Sequence, residues 1–185
     1  AGYDLVTLCH QDDLYLPGYG AAVQAMASPD MLIYFSGYGE KRGEEVVTSS
    51  RLLRIKRLLL WRMRIRPFQR SRLMKHRTLA LGDPICCPSV TFHLCRLPLP
   101  LFQTDMTTSL DWQAWERISR MDGRFVYDPA VRMLHRIHTN STTTQVLEKG
   151  GRQPEDYAMF RKFWCTPIAR LLTKWYSASE KSNQL

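Results

Sequence analysis

The chain has 185 residues, of which 44% are hydrophobic and 23% charged, and this composition is typical of a globular domain with a sizeable core. It carries 26 lysines and arginines against 17 aspartates and glutamates, and this formal charge of +9 favours an anionic partner such as a nucleotide, a nucleic acid or an acidic membrane. No run of about 18 apolar residues is present, which excludes a predicted transmembrane helix.

The first predicted element is a short buried strand at Leu5 to Cys9, and two adjacent carboxylates, Asp12 and Asp13, follow it. In an open α/β sheet the carboxyl edge of the strands is where ligands bind. Two neighbouring carboxylates repel one another unless a cation or a donor takes up their charge, and oxygen ligands suit Mg²⁺ or Mn²⁺. The structural alternative is a helix cap followed by a turn at Pro17 and Gly18.

The next residues predict one strand–helix–strand unit. The Ala-rich stretch Tyr19 to Met26 predicts a helix that ends at Ser28-Pro29, and Met31 to Ser36 predicts an apolar strand. Gly37 to Gly43 reads as a polar loop. This unit favours an α/β class with a mixed sheet and flanking helices.

Ser50 to Arg77 is the most unusual segment because it contains eleven lysines and arginines and no acidic residue, with Leu, Ile and Trp interleaved. Ser49 or Ser50 can cap a helix, and Pro67 should break the run into two helices. Such a segment can lie on an anionic membrane or line a nucleic-acid or diphosphate site. Its alternative is a helix packed on the sheet with its cations in solvent.

Leu81 to His93 combines small residues with prolines, and the sequence leaves two interpretations open. The small residues would let a ligand approach the backbone closely, at Ser89 for example. The same pattern fits an ordinary buried strand with a proline bulge.

Asp111 opens a helix whose apolar positions, Trp112, Trp115 and Ile118, have helical spacing. A carboxylate at a helix start is favoured by the free N–H groups and the helix dipole. That structural role accounts for Asp111 completely, so a catalytic role is a second hypothesis and not a consequence of the pattern.

Two strands are predicted around Asp128-Pro129, and the second ends in a histidine-rich element from His135 to His138. Alternation places Arg136 and His138 on one face and His135 on the other. Imidazole can bind a metal and guanidinium can pair with phosphate oxygens. Two helices, 154–164 and 167–176, and a polar tail from Ser177 complete the chain.

The five cysteines lie at positions 9, 86, 87, 95 and 165. An odd number without regular spacing is not typical of a disulfide framework, and the absence of a CxxC pair makes a structural zinc site unexpected. Reduced thiols and a cytoplasmic setting are therefore expected.

Three motifs in order, HQDD with a following Tyr and Pro, then SLDW, then HRIH with a following Ser and Thr, resemble the family 2 inverting nucleotide-sugar glycosyltransferases with the GT-A fold, and bacterial members in particular. The resemblance covers nearly the whole chain. It implies a partial GT-A catalytic domain over 1–145 and a helical extension over 146–185. Because the chain opens on Ala1 and enters a strand almost at once, it also implies that the N-terminal nucleotide-binding half is missing and that the isolated chain is inactive.

The resemblance assigns roles to single residues. It implies Mn²⁺ or Mg²⁺ at Asp12, Asp13 and His138, although His10 stands where the usual DxDD motif begins with a carboxylate. It implies that Asp111 is the general base, with a pKa held down by the dipole and nearby cations. The expected substrate contacts are those of Arg136, Trp112 and Ser89.

The implied function is metal-dependent transfer of a sugar from a nucleotide donor to an acceptor hydroxyl with inversion. It would serve cell-surface polysaccharide synthesis on a glycan or lipid-linked acceptor, in the cytoplasm or at the inner face of the membrane, and a nucleic-acid partner is not expected. Two other classes remain open: a non-catalytic module that binds anions or membranes, and a metal-dependent nucleotidyltransferase.

Overall fold

The computed structural model describes residues 4–137 and 152–181, and in these ranges the protein has a mixed α/β fold with one mixed sheet and flanking helices. The strands are β1 Leu5–Thr7, β2 Leu14–Tyr15, β3 Met31–Arg42, β4 Glu45–Val47, β5 Val90–His93 and β6 Arg124–Ile137. The α-helices are α1 Tyr19–Met26, α2 Arg51–Leu59, α3 Arg66–Arg70, α4 Arg72–Thr78, α5 Leu110–Ser119, α6 Gln153–Arg161 and α7 Thr166–Lys181.

The sheet is built around one long parallel pair. Its order is β1-β5-β3-β6-β2, with β4 paired to part of β3, and among the strands described here only β3 and β6 run parallel. Ten consecutive residues of β3, Met31 to Glu40, are buried. A strand covered on both faces reads as a continuous apolar run, which is the pattern that predicted it.

β3 continues through the stretch predicted as a polar loop, and the prediction for Gly37 to Gly43 is therefore wrong. Its neighbours supply the backbone partners, since β6 pairs with it as far as Arg42 and β4 returns beside it after a turn at Gly43. Glycine is required at Gly37 because a side chain there would begin 2.8 Å from the carbonyl oxygen of Pro129. The strands approach too closely at this point for a Cβ atom.

The two strands predicted around Asp128-Pro129 form one strand, β6, of 14 residues. The dipeptide makes an irregularity in the strand and does not end it, because the Asp128 carboxylate accepts the backbone N–H of Ala130 at 2.9 Å and the register with β3 shifts there. Arg132 donates to the same carboxylate at 2.8 Å.

The helix predicted at Tyr19 to Met26 is confirmed, and so is the cap at Ser50, whose hydroxyl accepts the backbone N–H of Leu53. The basic segment is divided earlier than predicted. α2 passes into a 3-10 turn at Leu60–Arg64, and Pro67 lies in the first turn of α3. None of the helices in the described part of the chain is long and apolar enough to cross a bilayer.

The main core lies between one face of the sheet and helices α5 to α7. Trp112 and Trp115 of α5 are fully buried, and the Trp112 ring meets Phe160 of α6 and Tyr176 of α7. The C-terminal helices therefore share one core with the sheet and with α5. The other face of the sheet carries α1, whose Tyr19 and Val23 pack on Tyr34.

Candidate metal site and acid pair

The acidic loop after β1 is held against the far end of β6. β2 follows the loop directly, and its residues Leu14 and Tyr15 pair with Leu134 and Met133. Asp13 immediately precedes this pairing, so the strand register carries its carboxylate to the end of β6.

Asp13 is buried, and one of its two carboxylate oxygens is fully engaged. Oδ1 lies 2.9 Å from the Nδ1 of His135 and accepts the backbone N–H of Arg136 at 2.9 Å. Oδ2 is buried and has no hydrogen-bond partner among the described residues, and it lies 3.7 Å from Nδ1 of His10. A buried carboxylate oxygen without a donor is costly unless a cation or a donor meets it.

Asp13 belongs to a cluster of three side chains that could hold a metal ion. His10, Asp12 and Asp13 each offer one possible ligand atom, and these atoms lie within 4.8 Å of one another. His10 is exposed and Asp12 is half-buried, so the site opens to solvent on one side and is closed by Asp13 on the other. One imidazole nitrogen and two carboxylates suit a divalent cation such as Mn²⁺, and the open side leaves room for water or phosphate oxygens. These residues fit the metal that the resemblance implies.

The structure brings together part of the predicted ligand set and adds two histidines. Asp12 and Asp13 are adjacent as predicted, whereas His138 lies outside the described residues. The comparison with the DxDD motif treats His10 only as a lost carboxylate, although its position in the same loop also indicates a possible imidazole ligand. His135, which alternation placed on the face opposite His138, is the residue that orients Asp13.

Arg136 reaches this site through its backbone. Its N–H binds Asp13, while the side chain is half-buried and its Nε has no hydrogen-bond partner in the described ranges. The predicted phosphate contact of its guanidinium is compatible with that arrangement and stays a prediction.

A second carboxylate cluster consists of Asp83 and Asp111. The two carboxyl groups interact electrostatically, and burial raises the pKa of Asp111 and raises that of Asp83 well above its usual range. The nearby charge of Asp111 raises the Asp83 pKa further. The expectation that the helix dipole and cations lower the Asp111 pKa is therefore wrong, because desolvation outweighs them.

Cations also surround this pair. Lys56 and Arg152 oppose the rise in the pKa of both carboxyl groups, and Asp83 accepts the backbone N–H of Ile85 at 3.0 Å. The Lys56 ammonium lies 5.4 Å from the centre of the Tyr38 ring. The sequence did not identify Asp83 or Lys56 as site residues. The signals available for them were weak: Asp83 is an acid that precedes Pro84, and Lys56 is one of many cations in the basic segment.

The metal cluster and the acid pair both act electrostatically on the same two thiols. Burial raises the pKa of Cys86 to about 12, and the charges of Asp13, Asp111 and Asp83 all contribute to that rise. Burial is also the main cause of the raised pKa of Cys87, and the charges of the same three carboxylates raise it further. The acidic loop, the start of α5 and the Asp83 turn therefore face a common region.

Two predicted substrate contacts lie inside the protein. Ser89 is fully buried, and its hydroxyl donates to the carbonyl of Cys86 at 2.7 Å. Trp112 is fully buried, and its indole N–H donates to the carbonyl of Leu79 at 3.1 Å. Neither side chain is accessible to a substrate in this structure, because both are packed in the core and hydrogen-bonded to backbone carbonyls.

Comparison of the chain with models of protein families, with curated proteins and with solved structures gave no match. The geometry of the two clusters is therefore the basis for a functional proposal.

Proposed function

We propose that this chain forms the metal-binding and acceptor-binding part of an inverting glycosyltransferase that uses a nucleotide-sugar donor and has a GT-A fold. The observation that carries the proposal is the unpartnered Oδ2 of Asp13 within the His10, Asp12 and Asp13 cluster, beside a region that Asp111 also faces. A glycosyl transfer needs these two functions next to each other: a site for a cation on the leaving group and a base for the acceptor.

The first cluster would hold the leaving group through its cation. Asp13, oriented by His135 and by the Arg136 backbone, would bind a Mn²⁺ or Mg²⁺ ion together with Asp12 and His10. A cation held there would supply charge neutralisation for the departing nucleoside diphosphate.

The second cluster would provide the base. Asp111 would remove the proton from the acceptor hydroxyl as its oxygen bonds to the anomeric carbon and the bond to the diphosphate oxygen breaks. One displacement inverts the configuration. A pKa raised by burial makes Asp111 a stronger base than a carboxylate in water, while Lys56 and Arg152 favour its ionised form. Base catalysis of this kind contributes roughly 10²- to 10⁴-fold, so orientation and diphosphate contacts must supply the rest.

The experiment is identification of the products of the full-length gene product incubated with Mn²⁺, a panel of nucleotide sugars and membrane extracts. Glycosyl transfer releases nucleoside diphosphate, and the sugar appears on the acceptor with inverted configuration. Release of pyrophosphate instead would identify a nucleotidyltransferase. If Asp13→Ala and Asp111→Asn leave a salt-sensitive anion-binding activity unchanged and no product forms, the protein is a binding module.

A further inference from the structure

The structure divides the predicted basic segment into two parts with different surroundings. In the second part, Arg70 pairs with Asp30, Arg72 pairs with Asp122, and Lys75 is fully buried with its ammonium 2.7 Å from two backbone carbonyls. The first part consists of α2 and the 3-10 turn. Its lysine and arginine side chains form no ion pair with any residue in the ranges 4–137 and 152–181.

This first part also exposes apolar side chains. Ile55, Leu58 and Trp61, here called the α2 stripe, are spaced three residues apart, and Leu58 is 67% exposed. The exposed Arg51 and Arg54 flank them. The opposite side of the segment is anchored in the protein, because Leu53, Leu60 and Met63 are buried. The segment is therefore a cationic amphipathic element with a second, outward apolar face.

The last helix repeats this arrangement. Ile168, Leu171 and Trp175, here called the α7 stripe, lie three and four residues apart on one face, and Leu171 and Trp175 are 68% and 67% exposed. The exposed Arg170 and Lys174 flank the stripe. The opposite face of α7 packs into the core through Ala169, Leu172 and Tyr176.

Both elements approach the acid pair. The Lys56 ammonium of α2 interacts electrostatically with Tyr176 of α7, and the Tyr176 ring lies against Gly82, next to Asp83. The α2 and α7 stripes therefore belong to helices that each bring one side chain, Lys56 and Tyr176, towards the turn that carries Asp83.

We propose that the α2 and α7 stripes together bind the surface of an anionic lipid bilayer. Tryptophan favours the membrane interface, Leu and Ile enter the acyl boundary, and long basic side chains reach the anionic headgroups. Charge favours this occupant over a second copy of the chain, because an isologous contact would bring the same cations face to face. Exposed aliphatic stripes are likewise a poor match for nucleic acid.

The proposal also specifies the acceptor, and that part rests on the proposed function. A surface that holds the bilayer beside Asp83 and Asp111 favours an acceptor hydroxyl carried on a lipid. Membrane binding itself is independent of any transferase activity and is measured without substrate.

The test is co-sedimentation of the full chain with vesicles of phosphatidylglycerol and phosphatidylcholine, compared with pure phosphatidylcholine, at low and high salt. We expect binding to the anionic vesicles that weakens with salt. Leu171→Ser should weaken partition about tenfold, since it removes an inserting apolar side chain. Arg170→Gln should weaken it about fivefold, the contribution of one cation near such a surface.

Matched controls separate this surface from general stickiness and net charge. Leu99→Ser removes an equally exposed leucine, 71% exposed, away from both stripes, and Arg77→Gln removes one exposed cation on α4. Both should bind vesicles as the parent does. Brominated lipids should quench the tryptophan fluorescence, and Trp175→Phe should reduce this quenching.

Three results would overturn the proposal. They are absence of binding to anionic vesicles at low salt, equal losses in the stripe variants and their controls, and a stable dimer in solution that Leu171→Ser dissociates. If vesicles bind as expected but no transferase product forms, the surface stands and the proposed function fails.

Discussion

The His10, Asp12 and Asp13 cluster and the Asp83–Asp111 pair both concentrate carboxylates, but their surroundings treat the charge differently. Asp13 receives two donors on one oxygen, and the other oxygen is left without a partner among the described residues. Asp83 and Asp111 are placed where burial raises their pKa. The first arrangement favours a bound cation and the second makes its carboxylates stronger bases, so neighbouring carboxylates take different roles according to their surroundings.

Replacing the unpartnered carboxylate oxygen of Asp13 should have the largest effect of the changes considered, and the effect should be on metal affinity. Asp13→Asn keeps the size of the side chain but replaces one carboxylate oxygen by an amide nitrogen, which is not a metal ligand. We expect Mn²⁺ affinity to fall at least about 100-fold, more than the loss of an outer-shell partner causes. Isothermal titration with Mn²⁺ measures it. Asp122→Asn, a matched change at an exposed carboxylate, should leave the affinity unchanged, and equal affinities in parent and Asp13→Asn would remove the metal assignment.

Loss of the proposed base should affect transfer and leave donor binding intact. Asp111→Asn keeps the size and can retain the local hydrogen bond at the start of α5. In the full-length gene product, we expect transfer to fall at least about 10²-fold while donor affinity stays near normal. Initial rates and donor titration measure the two quantities, and thermal unfolding verifies the fold. A variant that transfers sugar at the parent rate would reduce Asp111 to a structural residue.

The nitrogen ligand should influence which metal binds. An imidazole ligand favours transition metals over Mg²⁺, whereas a carboxylate ligand suits both Mn²⁺ and Mg²⁺. We expect His10→Asp to lower the ratio of Mn²⁺ to Mg²⁺ affinity roughly tenfold. Competition between the two ions, followed by the electron paramagnetic resonance of Mn²⁺, gives the ratio. Gln103→Asp, which adds a carboxylate at an exposed position outside this loop, serves as the control. The same ratio in His10→Asp and the parent would exclude His10 as a ligand.

The acid pair should make stability depend on pH, and this is the smallest expected effect. Because burial raises the pKa of Asp83, the folded protein retains protons that the unfolded chain has released at the same pH. The free energy of unfolding therefore falls as pH rises above the ordinary carboxyl range of about 4. Asp83→Asn cannot ionise, so its fall should be shallower.

Urea unfolding of both proteins from pH 4 to pH 8 measures this difference. The stability of Asp83→Asn relative to the parent should increase with pH. A relative stability that stays constant across this range would show that Asp83 does not retain a raised pKa in the folded state.

Local features of the sequence were sufficient for several elements. The Tyr19–Met26 helix, the Ser50 cap and the buried run that begins β3 depend on neighbouring residues and on simple periodicity. The adjacency of Asp12 and Asp13 after β1 is equally local. The sequence alone therefore determined that a carboxylate pair follows the first strand of an α/β fold.

Tertiary structure decided what those carboxylates contact. His135 lies 122 positions from Asp13, and the β2–β6 pairing brings the two together. The Asp83–Asp111 pair likewise forms because α5 packs beside the Asp83 turn. Glu40 is buried because β4 and β6 pair with β3 on either side of it. Local patterns describe hydrogen bonds and packing within a few residues, whereas burial and long-range pairing set which oxygen meets a donor, a proton or a cation.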